Sequence, residues 1–309
     1  MRALKPKFWD EKNNFISLLL LPISLLWQLL LRINKIITFQ HTFKIPVICV
    51  GNIYVGGTGK TPLTILIARE LIKNKRKPAI IKKYYSQHTD EENLINEKIN
   101  CLFVNTKRIK AIQNAEKENY DVAILDDGFQ DFSIKKKLNI LCFNSKQLIG
   151  NGMTLPSGPL REGKNSIKDV NIILINGKKD ELFEKKILEI SNKVKIFNSE
   201  YIPLNINSFQ NKKLFAFSGI GNPENFFDIL NENNLNLKKK LIFPDHYQFS
   251  KSELEKMTKE SHENNLELIT TEKDYYRIKH YGFKNIKYLK VDLKIENKEE
   301  FINEILNYL

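Results

Sequence analysis

The run Gly51-Asn-Ile-Tyr-Val-Gly-Gly-Thr-Gly-Lys-Thr61 constrains this chain more than any other stretch. It follows Lys44-Ile-Pro-Val-Ile-Cys-Val50, a short apolar segment of the kind that forms a buried strand. It precedes Pro62 and the apolar-periodic residues Leu63 to Ile72, where a helix is expected. Proline suits a first helical turn, because its missing N–H would lack a partner there anyway. A strand, a glycine-rich loop ending in Gly-Lys-Thr and a helix, in that order, are the context of a nucleotide-binding P-loop. Glycine lets backbone N–H groups turn onto phosphate oxygens, and the helix N-terminus adds the positive end of its dipole. Gly56, Gly57, Thr58, Gly59, Lys60 and Thr61 are therefore the expected nucleotide contacts, with Lys60 on the β- and γ-phosphates and the Thr61 hydroxyl on Mg²⁺. Tyr54 stands where the usual motif has its first glycine. A glycine-rich turn without a ligand is the competing reading.

A second acidic element supports the first. Tyr120-Asp-Val-Ala-Ile-Leu-Asp-Asp127 reads as an apolar strand ending in two carboxylates, followed by Gly128-Phe129-Gln130. In P-loop enzymes a strand-end Asp completes the magnesium shell, so Asp126 and Asp127 are candidate metal ligands. Adjacent residues at a strand end present different faces, so one can hold metal while the other orients a nucleophile or water. A polar strand terminus facing solvent is the alternative.

Residues Phe15 to Leu31, FISLLLLPISLLWQLLL, carry no charge, and only Ser17, Pro22, Ser24 and Gln28 interrupt the apolar run. Arg2, Lys5, Lys7 and Lys12 precede it, Arg32 and Lys35 follow it, and Trp9 and Trp27 sit near its ends. No small-residue cleavage site follows, which argues against a signal peptide. The run is slightly short of the roughly 20 apolar residues of a spanning helix. Leu- and Trp-rich composition with basic flanks fits a helix that lies in the membrane interface or dips into it, on the anionic cytoplasmic face of the inner membrane. A helix buried in a core is the alternative.

With 309 residues, 42% of them hydrophobic, the chain can bury cores for two domains. Strand-like and helical patterns alternate through 45–50, 62–74, 78–82, 109–118, 121–126, 138–143 and 171–175, and again through 213–218, 223–233, 250–264, 266–270 and 298–308. That alternation predicts an α/β fold. The expected layout is a membrane-associated helix and flanks at 1–35, a P-loop NTPase-like parallel-sheet domain at 36–200, and a smaller α/β domain at 201–309. The polar stretch 195–212 is the expected hinge. The formal net charge of +13 suits an anionic membrane, a phosphorylated substrate or nucleic acid. Its lysines are spread, as in Lys135-Lys136-Lys137 and Lys238-Lys239-Lys240, and no arginine-rich tail appears, so nucleic acid is not the expected partner and solvated surface lysines are an equal reading. Cys49, Cys101 and Cys142 have spacings that suit neither zinc nor a disulfide framework, and read as small buried hydrophobes.

Several segments together resemble the tetraacyldisaccharide 4'-kinase family. Val50 to Pro62 is similar to that family's P-loop, which also lacks the first glycine, and Leu125-Asp-Asp-Gly-Phe-Gln130 is similar to its second motif. Gly150-Asn-Gly-Met-Thr-Leu-Pro-Ser-Gly-Pro-Leu-Arg-Glu162, Phe217-Ser-Gly-Ile-Gly-Asn-Pro-Glu224, Phe243-Pro-Asp-His246 and Thr270-Thr-Glu-Lys-Asp274 continue the likeness from about Phe8 to the last helix. The resemblance implies two α/β/α domains with nucleotide between them, ATP and Mg²⁺ as cofactors, and phosphorylation of the 4'-hydroxyl of a tetraacyldisaccharide 1-phosphate glycolipid by a monomer reaching its substrate from the membrane face. It implies Asp90 as catalytic base with Glu91 beside it at the metal site, from Thr89-Asp90-Glu91-Glu92 set against the family's Gly-Asp-Glu-Pro, and His246 as the assisting residue. Arg108 and Arg161 are implied contacts of phosphate or substrate, or else surface ion-pair residues. The chain departs from the family at Ile81-Lys82-Lys83-Tyr84-Tyr85-Ser86, where a Ser-Arg-Gly-Tyr-Gly run is usual, and at Asp131, where His is common. Two other readings use the same P-loop. A membrane-associated regulatory ATPase or GTPase would hydrolyse nucleotide without a lipid acceptor; a guanine reader is imitated only superficially, by Thr271-Glu-Lys-Asp274. A kinase of a soluble small molecule would not need residues 15–31.

Overall fold

The computed structural model describes residues 5–85 and 89–309; Arg2 and Ser86, named above, lie outside them. The chain forms two compact units. The larger comprises Lys5–Tyr84, Ile99–Glu200 and Leu293–Leu309, and the smaller takes in Tyr85–Lys98 and Tyr201–Asp292. The chain therefore crosses between units at 200/201, where a boundary is expected, but also around 85–98 and after 292. The last segment returns because helix α10 (Lys298–Leu306) buries Phe301 and Ile305, with Phe301 edge-on to Phe197 of the larger unit.

In the larger unit the strands are β1 (Val47–Gly51), β2 (Pro78–Lys83), β3 (Leu102–Asn105), β4 (Val122–Asp126), β5 (Leu138–Asn144), β6 (Ile172–Asn176), β7 (Lys195–Pro203) and β12 (Val291–Ile295). Their order is β12-β7-β6-β5-β1-β4-β2-β3, and the pairs from β7 to β3 are parallel. β1, β4 and β6 are buried at every residue, as strands covered on both faces must be. Helices α3 (Lys60–Lys73) and α5 (Arg108–Lys117) cover them with Leu63, Ile67, Leu71, Ala111 and Ile112. The chain leaves β1 in one direction toward β2 and β3, and β5 continues on the other side of β1. The carboxyl end of β1 is thus the topological switch point, where α/β sheets bind ligands.

The stretch 195–212 holds β7 and a 3-10 turn, Ile206–Phe209, and the crossing between units falls within β7. Phe197 and Ser199 alternate inward along β7, so the polar composition of that stretch reflects its outward face.

The smaller unit's sheet runs β11 (Ile286–Leu289), β10 (Glu267–Thr271), β8 (Lys213–Ser218), β9 (Asn236–Ile242), all parallel. Along β8 the side chains alternate: Leu214 and Ala216 join Phe226, Phe227 and Leu230 on one face, and Phe215 and Phe217 join Phe249, Leu254 and Met257 on the other. The run Lys238-Lys239-Lys240 lies on the edge strand β9, where exposed lysine discourages pairing with another chain. Lys136 of the other lysine run is not a solvated surface group: its Nζ donates to the Phe129 carbonyl at 2.6 Å. All three cysteines are buried and free, and burial pushes the Cys49 thiol up to about 11 and that of Cys142 to about 12. They are inert core groups.

Candidate active site

The phosphate cradle lies between β1 and α3. Gly56 and Gly59 take positive φ (127° and 91°), conformations that L side chains rarely adopt. Asn52 Nδ2 donates to the Gly56 carbonyl (3.2 Å) and to Thr58 Oγ1 (3.0 Å), holding the loop open from inside. Tyr54 is buried at the first-glycine position and bridges to Leu160. Val55 N–H donates to the Pro159 carbonyl (2.9 Å), and Arg161 N–H donates to that of Ile53 (2.6 Å). The start of the cradle is therefore paired with the 150–162 loop, and a side chain filling the gap replaces the freedom of glycine. At Gly51 a Cβ would lie 2.5 Å from that of Phe129, so glycine is needed for the second motif to approach β1.

The charges converge on the two strand-end carboxylates. Thr61 Oγ1 donates to Asp126 Oδ2 at 3.0 Å, and Lys82 Nζ donates to the same oxygen at 2.7 Å. Asp126 Oδ1 is buried without a hydrogen-bond partner among the described residues. Asp127 adopts φ 57°, and its carboxylate meets other partners than that of Asp126. Arg161 Nη1 donates to both Asp127 oxygens (2.9 and 3.1 Å), and Lys60 Nζ stands 3.8 Å away. Burial works to raise the Asp127 carboxyl, but Lys60 and Arg161 outweigh it and hold the group down to about 2. Arg108 donates to the Asp127 carbonyl (2.7 Å) and to Asp131 (3.2 Å), so Asp131 orients an arginine at this site.

The second cluster belongs to the smaller unit. Helix α4 (Thr89–Lys98) carries Asp90, buried at 1% exposure, and helix α9 (Glu272–Ile278) carries Lys273, Asp274 and Arg277. Thr271 caps α9 and donates its hydroxyl to Asp274 Oδ2 (2.7 Å), which also accepts from Gly219 N–H (3.0 Å). Asp274 Oδ1 accepts from Arg277 Nη1 (2.7 Å), and Arg277 Nη2 donates to Asp90 Oδ2 (2.5 Å). The Thr-Thr-Glu-Lys-Asp motif is therefore the frame that grips Asp90, and both groups of the apparent guanine reader are engaged within it. His246 adopts φ 57° after Pro244-Asp245, and its Nδ1 stands 3.6 Å from Asp90 Oδ2. Lys273 Nζ lies 3.3 Å from His246 Nε2 and donates to Glu91 Oε1 at 2.8 Å. Burial tends to raise the Asp90 carboxyl, and the neighbouring His246, Lys273 and Arg277 override it, holding the group well below the ordinary carboxylate range. Asp90 Oδ1 is buried with no hydrogen-bond partner among the described residues.

Comparison with known proteins decides among the readings. The profile of tetraacyldisaccharide-1-P 4'-kinase matches residues 16–309. The chain belongs to this family. The tetraacyldisaccharide 4'-kinase of Pelagibacter ubique is 43% identical over 310 residues, covering 99% of this chain and 98% of the relative. That of Rickettsia canadensis is 36% identical, covering 96% and 95%. The crystal structure of LpxK from Aquifex aeolicus in complex with ATP superposes with a TM-score of 0.72 at 25% identity, covering 95% of this chain and 99% of that one. Membership makes the chain an ATP-dependent kinase of the lipid A precursor, with the expected α/β fold, and sets aside the regulatory ATPase or GTPase.

In this 4'-kinase the expected residues fall into two sets. Gly56, Gly57, Thr58, Gly59, Lys60, Thr61, Asp126 and Asp127 lie in the larger unit; Asp90, Glu91 and His246 lie in the smaller. Among the described residues no group of three or more His, Cys, Asp and Glu side chains gathers in a metal-binding cluster. A magnesium ion fits the pair Thr61 and Asp126 nevertheless, because Mg²⁺ takes few protein ligands and fills its shell with phosphate oxygens and water, and Asp126 has a buried oxygen to spare. Sequence reasoning gave no role to Asn52, Lys82, Lys273 or Arg277. The Asp274-x-x-Arg277 spacing, one helical turn behind a Thr cap, was the signal available for the last of these.

The N-terminal segment forms α1 (Phe15–Leu19) and α2 (Leu21–Ile37) with an inverted pattern. Ser17 and Ser24 are fully buried, whereas Phe15, Leu19, Leu25, Leu26, Leu29 and Leu30 are exposed. Ser24 Oγ donates to the Thr154 carbonyl (2.9 Å) and bonds Ser157 Oγ (2.8 Å), and Gln28 Nε2 donates to Thr154 Oγ1 (3.0 Å). Trp27 Nε1 donates to the carbonyl of Arg161 (3.2 Å). The polar residues that interrupt the apolar run are its protein-facing side, and a core helix is excluded. Among the described residues no helix is long and apolar enough to cross a membrane.

Proposed function

We propose that the two clusters divide the 4'-kinase reaction, the larger unit's cradle holding Mg²⁺·ATP and Asp90 of the smaller unit receiving the proton of the 4'-hydroxyl. The observation that carries this reading is the buried Oδ1 of Asp90, without a hydrogen-bond partner among the described residues, on a carboxylate whose other oxygen is held by Arg277. A buried acceptor without a donor is costly unless a ligand supplies one, and a sugar hydroxyl is a donor. Backbone N–H groups of Gly56 to Lys60 and the Lys60 ammonium neutralise the phosphoryl oxygens. Thr61 and Asp126 would hold the magnesium ion, which supplies charge neutralisation on the β- and γ-phosphates. Asp127 fixes Lys60 and Arg161, and Glu91 fixes Lys273, so we assign the metal to Asp126 and Thr61 first.

Asp90 is a weak base because its pKa is depressed. Phosphoryl transfer tolerates this: the transition state is loose, little charge builds on the attacking oxygen early, and the carboxylate mainly aims the hydroxyl and takes its proton late. His246 turns Nδ1 toward Asp90 and Nε2 toward Lys273, so the ring stands between the carboxylate and that cation. His246 thereby steadies the carboxylate. The outward apolar face of α1 and α2, with Lys35 and Arg32 at its end, supports docking on the anionic cytoplasmic leaflet of the inner membrane, where a glycolipid presents its headgroup. The test is transfer of label from γ-labelled ATP to tetraacyldisaccharide 1-phosphate. Label in the lipid is expected; hydrolysis of ATP with no labelled lipid would overturn the reading.

A further inference from the structure

Lys82, singled out in the sequence only as a departure from the family run, has a specific place. It lies on β2, whose Ile81 pairs with Leu125 of β4, so two hydrogen-bonded strands bring its stem beside Asp126. The ammonium and the carboxylate are both buried, at 5% and 1% exposure, and 2.7 Å apart. The oxygen that Lys82 contacts is the one that Thr61 Oγ1 contacts, so a resident cation stands on the ligand pair assigned above to magnesium.

The charges of the cradle can be counted. Asp126 and Asp127 contribute two negative charges; Lys60, Lys82 and Arg161 contribute three positive ones. These five groups, counted among the described residues, sum to one net positive charge, which repels a free divalent cation and attracts a polyphosphate. Without Lys82 the same site would be neutral, and the carboxylate beside Thr61 would be open to a metal ion. A charge on a buried carboxylate must be balanced in place, and here the protein supplies the balance before any ligand arrives.

We propose that Lys82 is the resident counter-ion of the metal position: it competes with a free divalent ion at Asp126, strengthens binding of metal-free ATP, and so makes the divalent ion enter together with the nucleotide. The proposal rests on the reading of the cradle as the Mg²⁺·ATP site. Because a fixed positive charge repels a metal cation and attracts a polyphosphate, removing it must help one ligand and hurt the other.

The test uses the full chain with Mn²⁺ as a paramagnetic probe, and ATP titrated in the presence of a chelator. Wild-type protein is expected to show no saturable Mn²⁺ site until a non-hydrolysable ATP analogue is added. Lys82→Met is expected to bind Mn²⁺ without nucleotide about tenfold more tightly, and metal-free ATP about tenfold more weakly. Lys82→Arg keeps both wild-type values. Equal Mn²⁺ affinities in wild type and Lys82→Met would overturn the proposal. So would a saturable Mn²⁺ site in nucleotide-free wild type, a measurement that needs no variant. Failure of wild type to bind ATP even with Mg²⁺ present would instead contradict the cradle itself, and the proposal with it.

Discussion

The cradle of the larger unit and the Asp90 cluster of the smaller one hold their carboxylates in opposite ways. In the cradle, Asp126 and Asp127 sit side by side on one strand end, and cations reach them from β2, α3 and the 150–162 loop. In the smaller unit the buried Asp90 is gripped by Arg277 of helix α9, itself fixed by Asp274, with His246 beside it. The cradle spreads positive charge over many groups. The Asp90 cluster concentrates its order on one carboxylate oxygen, and the proposed function gives the other to the acceptor. Positive charge for binding can be distributed, whereas aim at a single proton cannot.

That contrast can be broken by substitution. Lys60→Ala has the largest expected effect: transfer is abolished and nucleotide affinity falls with it, because one cation serves both. Retention of nucleotide binding in a titration with a fluorescent ATP analogue would contradict that role. His246→Ala should lower kcat by about 10²-fold, within the range of a positioned proton-transfer group, with nucleotide Kd unchanged. A matching rise in Kd would move His246 from the acceptor side to the nucleotide side. Arg277→Met strands Asp90 and Asp274 in a buried site and should destabilise the fold by about 3–5 kcal/mol in denaturant unfolding. A change under 1 kcal/mol would mean that Asp90 is held by other groups.

Acidification sharpens the comparison further. The Asp127 carboxyl is lowered from 3.8 to about 2, so its folded form binds fewer protons than its unfolded form between those values. It stabilises the protein above pH 4, and that contribution is lost as pH falls toward 2. Arg161→Gln should flatten the slope of melting temperature against pH in that window; an unchanged slope would place the effect elsewhere. Leu25→Asp and Leu29→Asp, on the exposed face of α2, should shift stability by about 0.5 kcal/mol at most. They should nevertheless reduce sedimentation with anionic vesicles, and undiminished binding would assign membrane contact to another surface.

Legibility in the sequence followed contiguity. The cradle was readable because β1, the glycines, Lys60 and Thr61 are consecutive, and Asp126 closes an unmistakable apolar strand. The fold class followed from the same alternation of strand and helix. The clamp on Asp90 was not readable in detail, because Lys273 and Arg277 are ordinary charged residues until α9 turns them onto α4, Arg277 meeting Asp90 187 positions away in sequence. β7 was missed because a strand with one wet face reads as polar. The N-terminal helix held its own clue: Ser17, Ser24 and Gln28 are spaced by seven and four, the spacing of one helical face, so the apparent interruptions were its docking side.

The most direct test of the division of labour is Asp90→Asn, compared with wild type for label transfer to tetraacyldisaccharide 1-phosphate and for ATP affinity in the same preparation. The account predicts transfer slower by about 10²–10⁴-fold with ATP Kd within a factor of about two. Wild-type transfer, or loss of ATP binding in parallel with transfer, would contradict it.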